Sequence, residues 1–313
     1  MEAQEIRIVS KRGHLLRVSI ISVLALMCVV IAIGSCHRSK QKPVILQREW
    51  TANAEFAGDV VAVEVAAKHG MQLQVKEGSE TLDPIKTVRA GLADFGVASA
   101  DRVLRENEGG ADLVIIAAAT FRSPVVFLTR EDLRIGSPGD FRGRTIGIQA
   151  GTNTDLVFRA LIHSQKGLAL DDMTIVDPGW GTGAFEARTV DVLGAFAYDE
   201  PITLQLKHIT FGEIVPEHYG VRYVGTVYFT RWSVVRKETE LTQTFMDALV
   251  EGWKVALADP NGAIERLAQR FDDVRTNKQK ELMSLEKGRE FFGGGDCGLL
   301  CASNGRFEAM PPA

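Results

Sequence analysis

Short apolar strands alternate with helical patterns along most of this chain, and no other sequence feature constrains the fold as strongly. Residues 44–49 (VILQRE) predict a strand. The apolar residues that follow at spacings of three and four predict a helix, which starts near Asn53 and ends at Gly70. The continuous apolar run at 113–118 is typical of a strand covered on both faces. Strands separated by helices favour βαβ units, so we expect an α/β fold with mostly parallel sheets flanked by helices.

The alternation breaks near residue 125. A second apolar run, VVFLT at 125–129, follows the strand at 113–118 with no helix between them, and a polar connector at 130–139 comes next. From residue 145 the strand and helix patterns resume, and helical patterns fill most of 241–291. We therefore predict one lobe made of residues 44–129 and 231–313 and a second lobe made of residues 130–230. Two crossings between the lobes would form a hinge, with a crevice between facing strand ends.

The N-terminus has the pattern of an export signal. Lys11, Arg12 and Arg17 precede an apolar run at 18–33 that is shorter than the roughly 20 residues a membrane-spanning helix needs. The sequence Ile-Gly-Ser-Cys at 33–36 resembles the lipobox of bacterial lipoproteins, which implies cleavage before Cys36 and lipidation of its thiol. We expect a signal peptide at 1–35, a tether at 36–43 and a lipid-anchored protein outside the cytoplasm. An uncleaved membrane anchor is the alternative.

Charge and cysteine use exclude two further kinds of site. The chain has a formal net charge of −4, and no Lys/Arg-rich block follows the N-terminal segment, so we expect no nucleic-acid partner. Cys297 and Cys301 are four residues apart with no further ligands nearby, which is not a metal motif. They form either a local disulfide or two free thiols.

Motifs of catalysis and cofactor binding are also missing from the sequence. It contains no G-x-S-x-G, H-E-x-x-H or P-loop motif, and its six histidines are scattered. The glycines of GWGTG at 179–183 do not match the dinucleotide fingerprint, because the third glycine comes one residue early. We therefore predict no catalytic residue, no metal and no cofactor.

Several predicted strands are followed by aromatic and hydrogen-bonding residues. In open α/β sheets ligands bind beyond the carboxyl ends of the strands, so these residues are expected to share one cleft. Aromatic walls favour a flat ligand, and a few converging polar groups would orient it. Each residue could instead serve only a turn or a helix cap, and Glu200 could be a solvated surface acid. The candidate ligand-binding residues are Trp50, Asn53, Phe56, Ser99, Asp101, Phe121, Ser123, Gly151, Thr152, Asn153, Trp180, Gly181, Tyr198 and Glu200.

Four motifs resemble the solute-binding lipoproteins of ABC importers, in the family that includes thiamine-pyrimidine, riboflavin, nitrate/sulfonate and taurine binders. They are W-T-x-N-A-E-F-A-G at 50–58, A-G-L-A-D-F-G-V-A-S-A-D at 90–101, S-P-x-D-F-R-G-R-T-I-G at 137–147 and E-P at 200–201. The resemblance implies a two-lobe type II periplasmic-binding-protein fold with the ligand cleft between the lobes. It also implies a monomer that delivers a small molecule to a membrane permease with a cytoplasmic ATPase.

The first motif is most similar to the subgroup that carries thiamine-pyrimidine precursors or riboflavin. This similarity implies that Trp50 stacks on a heterocycle and that Asn53, Tyr198 and Glu200 contact it. A nitrate, sulfonate or taurine binder on the same fold is the alternative. A further alternative is an exported enzyme similar to the pyrimidine synthases. Those synthases use a Cys-rich motif that includes a His, and this sequence has no such motif.

Overall fold

The computed structural model describes residues 42–79 and 81–292, which form two five-stranded sheets with helices packed against them. The predicted signal peptide, Cys36, Cys297 and Cys301 lie outside these residues. The first sheet contains β1 (Val44–Gln47), β2 (Leu73–Lys76), β3 (Phe95–Ser99), β4 (Leu113–Ala118) and β10 (Thr226–Arg231), in the spatial order β2-β1-β3-β10-β4. The second contains β5 (Val125–Arg130), β6 (Thr145–Gly147), β7 (Thr174–Val176), β8 (Val192–Phe196) and β9 (Phe211–Ile214), in the order β7-β6-β8-β5-β9.

The two sheets have the same arrangement of strand directions. In the first sheet β1, β2 and β3 are parallel, and β10 runs antiparallel to both of its neighbours, β3 and β4. In the second sheet β6, β7 and β8 are parallel, and β5 runs antiparallel to β8 and β9. Each sheet thus has four strands in one direction and one reversed. The expected α/β fold with two mostly parallel sheets is confirmed.

The lobe boundaries differ from those expected, and the reversed strands explain why. The predicted boundaries placed 125–129 in the first lobe and 223–230 in the second, whereas β5 pairs in the second sheet and β10 pairs in the first. A parallel neighbour of β4 would need a crossover helix, and none separates β4 from β5. The chain instead passes directly to the other lobe at 119–124 and returns at 215–225. Lobe I is therefore 43–118 with 226–292, and lobe II is 125–214.

Helices cover the sheets and make up most of the chain after β10. Strand β9 and the helices at 232–237 and 272–276 are short elements that the sequence patterns did not indicate. The helices are α1 (Ala57–Lys68), α2 (Pro84–Arg89), α3 (Ala100–Glu108), α4 (Asn153–Ser164), α5 (Gly183–Glu186), α6 (Glu200–Leu206), α7 (Trp232–Lys237), α8 (Thr239–Ala258), α9 (Pro260–Ala268), α10 (Asp272–Thr276) and α11 (Lys278–Phe292). Within the described part of the chain, none of them is both long enough and apolar enough to cross a bilayer.

Helices α1 and α8 lie so close together that their contact depends on two glycines. A Cβ atom on Gly252 of α8 would lie 2.5 Å from the carbonyl oxygen of Gly58 and 2.6 Å from the nitrogen of Ala62, both in α1. A Cβ atom on Gly58 would overlap the ring of Trp253. This approach places the indole Nε1 of Trp253 2.8 Å from the hydroxyl of Tyr228 in β10, which begins a buried polar network that reaches the cleft.

The main hydrophobic core continues from one lobe into the other. Tyr198 of lobe II packs against Phe291 and Phe292 at the end of α11, with ring centroids 5.6 and 5.2 Å apart. Phe292 in turn packs on Trp253 of lobe I, at 4.7 Å. Helix α11 therefore joins the two lobes in this arrangement.

Candidate functional site

A cavity of about 740 Å³ lies between the two sheets. Its walls come from segments that follow the carboxyl ends of β1, β2, β3, β6, β7 and β8, together with Thr226 at the start of the reversed strand β10 and residues of α10 and α11. This is the expected position for a ligand site in an α/β sheet. Because both lobes contribute, a ligand held here would be enclosed between them.

Nine of the fourteen predicted site residues line this cleft, and both lobes contribute to them. They are Trp50, Asn53, Ser99, Gly151, Thr152, Asn153, Trp180, Gly181 and Glu200. Gly151 has a φ of 76°, as its predicted tight turn requires, and the Thr152 hydroxyl accepts a hydrogen bond from the Asp155 nitrogen as the cap of α4. The Asn53 side chain accepts from the nitrogen of Glu55 and caps the 3₁₀ turn Ala54–Phe56 that leads into α1.

The other five predicted residues do not line the cleft. Phe56 is buried beneath the guanidinium of Arg48, whose central carbon lies 4.3 Å from the ring centroid. Phe121 and Ser123 line a second cavity of about 330 Å³ beside the connecting segments. The remaining two, Asp101 and Tyr198, make hydrogen bonds between the lobes.

Trp50 of lobe I and Trp180 of lobe II face each other across the cleft. Their ring centroids are 4.8 Å apart and their planes meet at 75°, which is an edge-to-face contact. Trp180 is 46% exposed, so water can reach one side of this pair. Neither indole is among the buried core residues, so a flat ring that packs on them displaces no core side chain.

Ser99, at the end of β3, supplies a polar group without a partner. The residue is only 5% exposed, and its hydroxyl makes no hydrogen bond to any residue in 42–79 or 81–292. A buried hydroxyl without a partner is costly. Since Ser99 lines the cleft, a bound ligand can satisfy this group.

A hydrogen-bond chain connects the crossing segments to both lobes. The Ser123 hydroxyl donates to Tyr223 Oη at 2.6 Å, and Tyr223 donates to Asn153 Oδ1 at 3.1 Å. The Asn153 amide then donates to Asp101 Oδ1 at 2.9 Å. Asn153 also lines the cleft. Ligand contact at Asn153 is thus linked directly to the contact between the lobes.

A buried ionic network below the cleft was not foreseen from the sequence. Arg48 pairs with Asp59 at 2.7 Å and with Glu55 at 3.1 Å, and the hydroxyl of Tyr228 donates to Asp59 at 2.6 Å. Tyr198 of lobe II donates a short hydrogen bond to Glu55. Burial raises the pKa of both carboxyl groups, although the charge of Arg48 opposes the change.

Two further basic residues of the cleft, Arg102 and Lys280, each pair with two carboxylates. Arg102 bonds to Glu49 and lies 3.0 Å from Asp83. Burial raises the pKa of Glu49 to about 6, with Arg102 acting against it.

Lys280 of α11 lies 2.5 Å from Asp199 of lobe II and 3.1 Å from Glu281. Burial alone would lower the pKa of Lys280, but these two carboxylates outweigh it and raise that pKa. Glu281 also accepts a hydrogen bond from the nitrogen of Ala54 at 2.6 Å.

Glu200 begins α6 at the edge of the cleft. One of its carboxylate oxygens accepts a hydrogen bond from the nitrogen of Phe196 at 2.8 Å. Burial, followed by the charge of Asp199, raises the pKa of Glu200 to about 8. The raised pKa favours the protonated form, which can both donate and accept a hydrogen bond.

Acidic groups outnumber basic groups among the residues that line the cleft. The acidic ones are Glu49, Glu55, Asp83, Asp199, Glu200, Asp273 and Glu281, and the basic ones are Arg48, Lys86, Arg102 and Lys280. No cluster of His, Cys, Asp and Glu in the described part of the chain has the geometry of a metal site.

Comparison with known proteins gives a family and a fold. The family model described as NMT1/THI5 like matches residues 53–263. A binding protein of Brucella abortus (strain 2308) is 21% identical over 220 residues, which is 68% of this chain and 66% of that protein. The riboflavin-binding protein RibY of Chloroflexus aurantiacus is 23% identical over 235 residues, which is 71% of this chain and 64% of that protein. The chain therefore matches slightly less than two thirds of the length of these relatives.

Solved structures of low sequence identity share the fold. The alkanesulfonate-binding protein SsuA from Xanthomonas axonopodis pv. citri superposes with a TM-score of 0.59 at 18% identity, covering 79% of this chain and 84% of that one. The aliphatic sulphonate-binding protein SsuA from Escherichia coli gives 0.59 at 19%, covering 77% and 84%. The desulfurization enzyme DSZB gives 0.52 at 15%, covering 81% and 84%. The periplasmic-binding-protein fold implied by the sequence motifs is thus confirmed.

Proposed function

Since the chain belongs to the NMT1/THI5-like family, we propose that it is the solute-binding component of an ABC importer and works outside the cytoplasm. Relatives of this chain are named as binding proteins, and solved binding proteins share its fold. The two lobes would close over a small molecule and present it to a membrane permease, which a cytoplasmic ATPase drives. Ligand binding would shift an equilibrium between open and closed lobes.

The observation that carries this proposal is the cleft with one indole on each side. Lobe I contributes Trp50 and lobe II contributes Trp180, and their rings meet at 4.8 Å. A flat ring placed between or beside them would gain stacking area from both lobes at once. The proposed ligand is therefore a small aromatic heterocycle, such as a thiamine-pyrimidine precursor or a riboflavin-like molecule.

Polar groups on both sides of the cleft would orient that heterocycle. Ser99 offers a hydroxyl that has no partner among the described residues, and Glu200 offers a carboxyl group whose raised pKa favours the protonated form. Asn53 and Thr152 add hydrogen-bonding side chains from opposite lobes. Few but directional polar contacts within an otherwise enclosed site are typical of small-molecule receptors.

Membrane attachment through Cys36 completes the proposed role. A lipid on Cys36, after removal of residues 1–35, would hold the protein at the membrane beside its permease, with residues 37–43 as the rest of the tether. We propose that it acts as a monomer, because one chain supplies both walls of the cleft.

Identification of the natural ligand tests the receptor role directly. The protein, purified from the cell that produces it, would be examined by native mass spectrometry, and the bound molecule would be released and identified. Binding of riboflavin and of 4-amino-2-methylpyrimidine would then be compared with binding of taurine by calorimetry. We expect an aromatic heterocycle to be released and at least one aromatic probe to bind. Binding of taurine alone would favour the sulfonate class, and turnover of a bound heterocycle would favour an enzyme.

A further inference from the structure

We infer that the cleft selects a neutral or positively charged ligand and excludes anions such as sulfonates, nitrate and carboxylates. This inference rests on the proposed receptor function and names the charge class of its ligand. It follows from how the charged groups of the cleft are paired.

Each of three cations in the cleft is shared between two carboxylates. Arg48 bonds to Glu55 and Asp59, and Arg102 bonds to Glu49 and Asp83. An anionic ligand that took the terminal nitrogens of either guanidinium would have to displace a carboxylate that already holds them. The displaced carboxylate would then lie beside a second negative charge, buried in the case of Arg48 and half-buried in the case of Arg102, which is unfavourable. The Nε–H of Arg48 has no partner in residues 42–79 and 81–292, and a neutral acceptor on the ligand can satisfy it without adding a negative charge beside Glu55 and Asp59.

The third cation, Lys280, follows the same pattern. Its ammonium group contacts Asp199 and Glu281. All three clusters therefore carry one more acidic than basic group. The fourth basic residue of the cleft wall, Lys86, is exposed to solvent, where its charge is well screened.

Two acidic groups of the cleft lie outside these clusters. Asp273 of α10 is exposed at the edge of the cleft, and Glu200 lies beside Asp199. A cationic ligand would gain from both groups, because its charge would favour ionisation of Glu200. An anion would be repelled by Asp273 and would hold Glu200 in its protonated form.

The hydroxyl of Ser99, which has no partner in the part of the chain that the structure describes, is an independent sign that the same cleft holds a ligand. A hydroxyl can accept a hydrogen bond from an N–H group or donate one, so it accommodates an amino or amidine group. A ligand that combines an aromatic ring with N–H donors would use the indoles, Ser99 and the excess of carboxylates together.

Three probes of matched shape separate charge from aromatic stacking. Benzamidinium, benzamide and benzoate share one ring and nearly the same size, and they carry charges of about +1, 0 and −1 at neutral pH. Ligand-observed NMR, which detects weak binding, would measure their dissociation constants at low and at high salt. We expect benzamidinium to bind about tenfold tighter than benzoate at low salt, with a smaller difference at high salt.

A pair of charge-reversal variants controls for long-range effects. Asp273→Lys at the edge of the cleft is expected to weaken benzamidinium binding about two- to fivefold. Asp247→Lys makes the same charge change at an exposed position of α8 outside the cleft and should leave binding unchanged.

The outcomes distinguish failure of this inference from failure of the proposed function. Benzoate that binds as tightly as benzamidinium would overturn the charge selectivity and leave the aromatic receptor intact. An equal effect of the two charge reversals would also overturn it. Failure of all three probes to bind at about 10 mM would contradict the aromatic receptor itself, and the charge inference with it.

Discussion

Trp50 and Trp180 come from different lobes, yet their indole rings meet edge to face with centroids 4.8 Å apart. Neither residue belongs to the hydrophobic core. The contact is therefore available to a ligand, and it makes indole fluorescence a direct report of what enters the cleft.

Replacing Trp180 with alanine should weaken the binding of riboflavin or of 4-amino-2-methylpyrimidine about tenfold or more. Loss of one stacking partner costs about 1–3 kcal/mol. Fluorescence titration would measure the change, and Trp232→Phe is the matched control, because Trp232 lies in α7 outside the cleft. Equal affinities of the Trp180 variant and the parent would show that this indole does not contact the ligand.

Replacing Tyr198 with phenylalanine should favour the open arrangement of the lobes. The change removes the hydrogen bond from lobe II to Glu55 and leaves a buried carboxylate oxygen without that donor, at a cost of about 1–3 kcal/mol. Small-angle X-ray scattering should give a larger radius of gyration, and ligand affinity should fall. Tyr219→Phe is the control, because Tyr219 lies in the 3₁₀ turn Pro216–Tyr219 and does not line the cleft. An unchanged radius together with unchanged affinity would rule out this role.

Glu200 should make the folded protein less stable as pH rises toward 8. Its pKa is raised from 4.5 to about 8 on folding, so the folded state binds more protons than the unfolded state between these values. The contribution of this group is fully present below about pH 4.5 and is lost as pH rises through about 8, with a slope of at most about 1.4 kcal/mol per pH unit.

Glu200→Gln retains an oxygen that can accept from Phe196 and removes the titration. Urea unfolding at pH 5 and pH 8 should show a smaller loss of stability in this variant than in the parent. Glu251→Gln, at an exposed position of α8, should behave like the parent. A parent and a Glu200→Gln variant with the same pH dependence would contradict the assignment.

Replacing Gly252 with alanine should destabilise the fold by about 1–3 kcal/mol or more, because the added methyl group overlaps backbone atoms of α1. Thermal unfolding would measure the loss. Gly183→Ala is a suitable control, since a Cβ atom there meets nothing within 4 Å. Equal melting temperatures for the two variants would mean that α1 and α8 can move apart freely.

The sequence predicted the sheets better than the site, for physical reasons. A buried strand needs a continuous apolar run, so β4 at Leu113–Ala118 was predicted at its observed bounds. β9, with the sequence FGEI, is short and includes a glycine and a glutamate, and it was missed. Local patterns also could not assign β5 and β10 to their sheets, because strand pairing is decided by contacts distant in sequence.

In the cleft too, features that depend on neighbouring residues were predicted, whereas contacts between residues far apart in the chain were not. Turn and cap residues such as Gly151 and Asn53 were found, since their roles depend on their immediate neighbours. The contact of Lys280 with Asp199 joins residues far apart in the chain, and no local motif marks it. Tyr198 was expected to face the ligand, but its ring packs on α11 instead.

The position of β10 between β3 and β4 has a consequence for the order in which this protein can assemble. All five strands of lobe II are contiguous in the chain, so that lobe can form as soon as its last strand, β9, has been made. Among the described residues of lobe I, β4 pairs only with β10, whose residues are synthesised after the whole of lobe II. A nascent chain that ends at residue 220 would therefore contain all five strands of lobe II. In lobe I, β4 would have no neighbouring strand until β10 has been synthesised.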